Sequence, residues 1–331
     1  MNLLVRPDET ELGSFARSVG SFCAGRRDIV MASRQEQEFP QGLWHGLARL
    51  GVLGLGTADG GGATWMAAAM VELGRALCPG PLPSTLMSIH LLSADVLVAV
   101  VGGDTVVSVG VDGLFPWGLA ASLLIGMDGD EAWAVDAAAP RQAMATLGRE
   151  PWARSDARRV NRLDTSPMAA AVGDLAVAAY LLGAASTLVD MGAEHARTRQ
   201  QFGRPIGGFE AVAFSLASSF TALYSAGALV RAAAEAVDSG VCYRAPCAAA
   251  RLVAADVALR AARVVHQVHG GGGFVEESPV GAYAARIRQW SLLAPSQASR
   301  RRAVLASAGA LNADVQSSKV QHASLVSDTA T

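Results

Sequence analysis

The sequence predicts a mainly α-helical protein with a small central β domain. Apolar residues recur every three or four positions near the N-terminus and again from residue 168 onward, as in amphipathic helices. From about 104 to 163 short apolar runs are separated by Gly, Asp and Pro, which is typical of strands. The chain therefore divides into an N-terminal helical domain at 1–101, a small β domain at 102–165, a C-terminal four-helix bundle at 166–313 and a disordered tail at 314–331.

Helical spacing sets the expected elements at both ends of the chain. Near the N-terminus it predicts helices at 10–32, 39–50, 64–77 and 84–101. After the β domain it predicts a helix ending near Arg199, followed by helices at 209–238, 247–269 and 296–311. The Ser-, Asp- and Thr-rich tail has too little apolar content to fold alone.

The composition favours a protein that buries much of its surface, including a subunit interface. Hydrophobic residues make up 51% and charged residues 17% of the chain, so we expect an oligomer. The net charge of -2 gives no attraction to nucleic acid or to a membrane surface. The four cysteines have no spacing typical of a metal site or a disulfide framework, which predicts buried free thiols. The polar start and the lack of an apolar run of about 18 residues indicate a cytoplasmic protein.

The most informative segment runs from Arg197 to Glu210, RTRQQFGRPIGGFE, and joins two predicted helices. It places arginines at one helix end, an aromatic ring on a glycine turn and a new helix start beyond. Guanidinium groups and a helix N-terminus both suit a pyrophosphate. The alternative is an ordinary turn, because cations favour the C-terminal end of any helix.

A second segment, HQVHGGGGF, ends the predicted helix at 247–269. Four consecutive glycines let a ligand approach bare backbone, although they also suit a plain helix end and a loop. His266 and His269 lie three residues apart, but no carboxylate or cysteine nearby completes a metal site, so no metal is expected.

Both segments resemble the acyl-CoA dehydrogenase family of flavoproteins. The first is similar to its R-x-QFG-x-PI-x-x-FQ-x-V motif and the second to its Q-x-x-GG-x-G-[FY] motif. The resemblance implies that FAD is bound through Arg199, Gln201, Phe202 and the position of Glu210, which stands where the family has glutamine. It assigns Gln267, Gly270, Gly271 and Ser296 to the same cofactor, shared between two subunits.

The N-terminal half resembles the same family. LWHGLARLGVLGLGTADGGGA and VELGRALCPGPLPST are similar to its LW-x-x-LA-x-LG segment and to the E-x-LG-R-x-L-x-P-x-P element of a shortened bacterial subclass. The family's Thr-Glu-Pro-x-Ala-Gly-Ser strand has no counterpart between Leu91 and Asp164.

The resemblance also implies that the usual catalytic base is missing. Family members remove the proton α to the thioester carbonyl with a glutamate, whose position falls on Ala294. Some members carry the base on the first helix of the bundle, at the position of Gly173. The neighbouring Asp174 is the only acid close by and is the candidate base, although an aspartate early in a helix also suits the helix dipole.

Two classes of function remain open at this point. The resemblance implies an FAD-dependent α,β-dehydrogenase of an acyl thioester, working as a homo-oligomer or as a non-catalytic-type subunit beside a related chain that supplies the glutamate. The alternative is a non-redox protein on the same scaffold, either a structural partner or an enzyme adapted to another reaction. The sequence identifies neither the acyl group nor its carrier.

Overall fold

The computed structural model describes residues 3–6, 9–57, 60–156, 159–163, 166–275, 278–293, 300–302 and 304–306. Six helices come first: α1 (Thr10–Ala24), α2 (Arg27–Glu36), α3 (Gln41–Arg49), α4 (Ala63–Arg75), α5 (Leu82–Ser88) and α6 (Ala94–Gly102). Seven strands follow: β1 (Val107–Val111), β2 (Leu114–Phe115), β3 (Leu123–Asp128), β4 (Glu131–Val135), β5 (Gln142–Met144), β6 (Trp152–Arg154) and β7 (Arg159–Arg162).

Four helices dominate the second half of the described chain. They are α7 (Pro167–Thr198), α8 (Glu210–Ser239), α9 (Arg244–His269) and α10 (Pro279–Ser291). A small hairpin of β8 (Gln200–Gln201) and β9 (Arg204–Pro205) separates α7 from α8. Residues 300–302 and 304–306 are also helical. The predicted fold class, helices around a small central sheet with a helical bundle, is confirmed.

Several predicted helices differ from the observed ones. The helix expected at 10–32 is wrong as a single element, because the chain turns at Gly25, whose amide closes α1. The helix expected at 84–101 is likewise two, since the backbone at Ser93 is extended before α6 begins. Helix α10 was not predicted; Pro279 at its first turn fixes a φ that suits the start of a helix. The helix expected at 296–311 lies largely outside the described residues.

The domain limits expected at 101 and 165 stay predictions, and the tail at 314–331 lies outside the described residues. Around these limits, α6 ends at Gly102, β7 ends at Arg162 and α7 begins at Pro167. The sheet has the strand order β5-β6-β2-β1-β3-β4-β7. Its centre is a parallel pair, β1 and β3, in which Val109 lies opposite Ile125.

Helix α7 is the core of the molecule and packs against α4, α5, α8, α9 and α10. Its contact with α4 is a backbone contact: a Cβ on Gly74 would lie 2.0 Å from the carbonyl oxygen of Tyr180, and one on Gly183 would lie 1.9 Å from that of Val71. Only glycine fits at either position, because no side-chain atom can occupy that space.

Within the part of the chain that the structure describes, two helices, α7 and α8, are long and apolar enough to cross a membrane by length and composition alone. In α7 the apolar window is 83% buried inside the molecule, which fits a core helix, whereas in α8 it is 22% buried. Phe214, Phe220 and Tyr224 are exposed on α8. Helix α8 therefore presents an apolar face to the outside of this chain.

The expectation of buried free thiols holds for Cys23, Cys78 and Cys247. It is wrong for Cys242, which is free but exposed, because it lies in the short turn between α8 and α9.

Candidate functional site

A cavity of about 540 Å³ lies between the sheet and the bundle. Helix α5, strands β1 and β3, and the first half of α7 form its walls, which are largely apolar. Among the lining side chains are Met87, Val109, Met127 and Val177. A cavity of this size with a few polar groups is typical of a small-molecule site.

Asp174 lines this cavity and is bound by an arginine from beyond α10. Its Oδ1 accepts a hydrogen bond from Nε of Arg300 at 2.8 Å, and Nη2 of the same guanidinium forms an ion pair with it at 2.8 Å. Arg251 of α9 also lies near this carboxylate, with Nε 4.0 Å from the same oxygen. Burial raises the pKa of Asp174, although Arg300 and Arg251 act in the opposite direction. The carboxyl group is thus held in place and is easier to protonate than an exposed aspartate.

Arg251 is 1% exposed and only partly paired. Its Nη2 donates to the carbonyl oxygen of Trp290, but Nε and Nη1 have no hydrogen-bond acceptor among the described residues. Burial, followed by the charge of Arg300, lowers the pKa of Arg251 to about 9, while Asp174 acts to raise it. The guanidinium therefore stays charged at neutral pH, and a buried charge of this kind is costly unless it is paired.

Gly173, at the alternative base position, also lines the cavity. A Cβ on this residue would lie 2.6 Å from Sδ of Met87 in α5. A glutamate at position 173 would therefore require Met87 to move. The usual base position, Ala294, and the predicted cofactor residue Ser296 lie outside the described residues.

Glu150, which is 1% exposed, lies behind one wall of the cavity and holds the tryptophans around it in place. Its carboxylate accepts hydrogen bonds from the indole nitrogens of Trp117 and Trp290 at 2.9 Å and of Trp152 at 3.2 Å. Arg286 lies 3.3 Å away as a buried ion-pair partner, and Gln289 also donates to Glu150. Trp290 lines the cavity. Sequence reasoning missed this cluster.

The predicted cofactor residues of the first motif lie at the far end of α7. Arg199 follows the helix and is exposed, Gln201 belongs to the β8–β9 hairpin, and Glu210 begins α8. Phe202 is 92% exposed on the hairpin turn, with a positive φ of 52°. The four residues share one accessible surface at the α7–α8 junction.

The second motif lies at the end of α9. Gln267 is exposed, Gly270 has a positive φ of 57°, and a Cβ on Gly270 or Gly271 would meet nothing within 4 Å. The backbone is therefore open to a ligand, as a phosphate cradle requires.

The structure brings these two motifs together at one end of the bundle. The ring of His195, near the end of α7, stacks on that of His269, near the end of α9, with 4.3 Å between centroids. His266 and His269 direct Nδ1 to carbonyl oxygens of their own helix, Ala262 and Val265, at 2.9 Å. No group of three or more metal-ligating side chains occurs in the described part of the chain.

The two motifs are remote from the cavity. At about 1.5 Å per residue, α7 separates Asp174 from Thr198 by roughly 36 Å. The cavity and the predicted cofactor surface of one chain are therefore too far apart to form a single compact site.

Comparison with known proteins gives a family match. Residues 168–307 match the family model described as "Acyl-CoA dehydrogenase, C-terminal domain". The chain is 31% identical over 290 residues to the acyl-CoA dehydrogenase IpdE2 of Mycobacterium tuberculosis, covering 80% of this chain and 85% of that protein.

Other matches are shorter or concern the fold alone. A 3-(aryl)acrylate reductase of Clostridium sporogenes is 38% identical over 106 residues, a segment that spans 28% of the length of that relative and 32% of this chain. Among solved structures, a chain of the ChsE4-ChsE5 complex from Mycobacterium tuberculosis superposes with a TM-score of 0.79 at 22% identity, covering 92% of this chain and 98% of the other.

Proposed function

Because this chain belongs to the acyl-CoA dehydrogenase family, we propose that it is one subunit of an FAD-dependent enzyme that oxidises an acyl thioester between its α and β carbons. The cavity beside Asp174 takes the acyl group. The junction and glycine motifs bind the cofactor of a neighbouring subunit.

The roughly 36 Å between the cavity and the predicted cofactor surface carries this proposal. A chain that contributes to two distant half-sites is complete only beside a second chain. The exposed apolar face of α8, with Phe214, Phe220 and Tyr224, supports such an assembly, since apolar patches of this kind mark protein interfaces. The ChsE4-ChsE5 relative is itself a complex.

The residues present fit the phosphates of FAD. Arg199 supplies an exposed cation at the junction, and Gly270 and Gly271 leave open space over bare backbone. When bound, FAD would supply the hydride acceptor. The chain's own residues would bind the pyrophosphate, orient the acyl group in the cavity and accept the α proton.

The mechanism needs a group that accepts the α proton. Neither Ala294 nor Gly173 can take a proton. Asp174 lines the cavity, and burial raises its pKa toward the working range of a general base. We propose Asp174 as the base within this chain, with a glutamate from a related partner subunit as the other source.

A second candidate function is a non-redox role on the same scaffold. The observation that favours it is the loss of the glutamate at both base positions, since a protein that no longer abstracts a proton needs neither. Such a protein would keep the apolar α8 face for its partner and would bind no flavin.

The two candidates are separated by purifying the full chain alone and together with the product of a neighbouring gene from its own source. The proposal expects visible flavin absorbance and a mass by light scattering of at least a dimer. A colourless protein in both preparations would support the non-redox role. A stable monomer carrying one FAD would contradict the shared site.

A further inference from the structure

One hydroxyl on the cavity wall has no partner in the part of the chain that the structure describes. It belongs to Ser84 of α5, which lines the cavity and is 4% exposed. The other two hydroxyls of this helix are bonded within it: Thr85 donates to the carbonyl oxygen of Pro81 at 3.3 Å, and Ser88 donates to that of Thr85 at 2.7 Å. Ser84 makes no such bond, and its oxygen is not closed off by the surrounding protein. Its hydroxyl therefore opens onto the cavity.

The other side-chain donors on the cavity wall are already engaged. Within the described residues they are two arginines and a tryptophan, each bonded to a carboxylate: Arg244 to Asp130 at 2.8 Å, Trp290 to Glu150 at 2.9 Å and Arg300 to Asp174 at 2.8 Å. The remaining lining residues are apolar, glycine or acidic. Ser84 can thus donate to an oxygen of a ligand without breaking a bond of the protein.

Ser84 lies on the same stretch of wall as Asp174. Helices α4 and α5 run in the opposite direction to α7: α4 contacts α7 near its middle, and farther along the chain Met87 of α5 contacts Gly173, nearer to the start of α7. Ser84 precedes Met87 by three residues, which is one turn on the same helix face. It therefore lies beside the turn of α7 that follows Gly173, where Asp174 and Val177 also line the cavity.

A donor in this place suits the proposed reaction. When the α C–H bond breaks, the proton passes to the Asp174 carboxylate and the electron pair moves into an enolate, whose charge rests largely on the thioester carbonyl oxygen. A hydrogen-bond donor held at that oxygen stabilises the developing charge, most strongly in a site from which water is excluded. Because the carbonyl carbon is bonded to the α carbon, the donor has to lie close to the base, as Ser84 does.

We infer that Ser84 is a catalytic residue whose hydroxyl donates to the thioester carbonyl oxygen and stabilises the enolate as the α proton leaves. This inference rests on the proposed function for the acyl thioester. Ser84 keeps its own proton throughout, and the hydride leaves the β carbon for the flavin. The role is that of one hydroxyl of this chain, so it can be tested without flavin and without turnover.

The test uses a thioester that forms its enolate without losing a hydride. Acetoacetyl-N-acetylcysteamine has an acidic α position, and its enolate absorbs in the near ultraviolet. Titration of this absorbance against pH, with and without the purified full chain, gives the pKa of the bound and the free probe. We expect binding to lower the pKa of the probe, so that the enolate fraction below both values rises about tenfold, the range of a hydrogen bond to a charged group.

Variants on α5 locate the effect. Ser84→Ala should lose the tenfold rise, and Ser84→Thr, which keeps a hydroxyl, should retain most of it. The matched control is Ser88→Ala, because the Ser88 hydroxyl is bonded within the same helix and should not affect the probe. An enolate fraction that does not rise in the wild-type protein, or a rise that survives in Ser84→Ala, would overturn the inference.

Turnover gives a second readout. Ser84→Ala should lower kcat by about 10²–10³-fold with little change in KM, as expected for a donor that acts in the transition state. The outcome is separable from that of the proposed function. An enolate rise that depends on Ser84 in a protein that never binds flavin would refute the dehydrogenase and leave the donor standing. Flavin-dependent oxidation at the same kcat in wild type and Ser84→Ala would refute the role of Ser84 alone.

Discussion

The indole of Trp290 donates a hydrogen bond of 2.9 Å to Glu150, and this bond joins the bundle to the loop before β6. Both residues are buried, and Trp290 also stacks on Tyr180 of α7 with 4.5 Å between ring centroids. The same tryptophan lines the cavity. Glu150 thus links the stability of the sheet–bundle junction to the shape of the site.

Substituting Glu150→Gln should destabilise the protein strongly. The amide cannot accept from all the indole donors, and Arg286 would lose its buried counter-ion at 3.3 Å. Removing one partner of a buried pair costs about 3–5 kcal/mol in the free energy of unfolding. Urea denaturation measures this loss in the free energy of unfolding. The control is Glu131→Gln, whose pair with Arg162 at 3.4 Å is exposed and should contribute below about 1 kcal/mol. Similar losses for both variants would contradict the role of Glu150.

Substituting Arg199→Ala should weaken flavin retention by about tenfold or more, because the exposed guanidinium is expected to face the pyrophosphate. The measurement is the FAD content after dialysis against a series of buffer volumes. Arg197→Ala is the control, since Arg197 is engaged by Glu194 at 2.6 Å on the same helix end. Unchanged retention in Arg199→Ala would remove this residue from the cofactor site.

Substituting Asp174→Asn should lower kcat by about 10²–10⁴-fold if this carboxylate is the base, the usual contribution of a positioned general base. Flavin content should not change, because the α7–α8 junction lies roughly 36 Å away. The rate of flavin reduction by substrate in a single turnover measures the step in which the α proton and the hydride leave. If Asp174→Asn leaves kcat nearly unchanged in the assembled enzyme, the base that accepts the α proton belongs to the partner subunit.

The stability of the α7–α9 end should decrease in mild acid. Burial, followed by His269 and Arg199, lowers the pKa of His195. Between the ordinary histidine pKa of about 6.5 and the lower folded value, the unfolded chain binds the extra proton, so stability is lost as pH falls through that window. His195→Gln should reduce the difference between unfolding midpoints at about pH 7 and about pH 5.5. His45→Gln, on α3, is the control; equal pH slopes for wild type and His195→Gln would refute the prediction.

The fold class could be predicted because helical and strand spacing are local properties of the sequence. The helix breaks at Gly25 and Ser93 were missed because each interrupts an apolar pattern that continues on both sides. Helix α10 was missed for a different reason: it begins at Pro279, and a proline between two segments is equally typical of a turn.

A residue of the site could be predicted only when it belonged to a motif or stood next to a motif position in the sequence. Asp174 was singled out because it follows Gly173. Its partner Arg300 is 126 residues further along the chain, and Gln289 is 139 residues from Glu150. No periodicity indicates such pairs, because folding alone brings them together. For Arg251 the available signal was an arginine inside an apolar run of α9, between Ala250 and Leu252.

The paired glycines of α4 and α7 limit how a ligand can reach the cavity. Gly74 and Gly183 each face a carbonyl of the opposite helix at a distance that no side chain could share. A slide of either helix by one residue would bring a Cβ onto that carbonyl, so the two helices are locked in register. Helix α7 is therefore a fixed wall of the cavity, and any change in the shape of the cavity must come from its other walls, which include α5 and the turns of the sheet. Exchange of substrate and product would be governed by that side, whatever reaction takes place within.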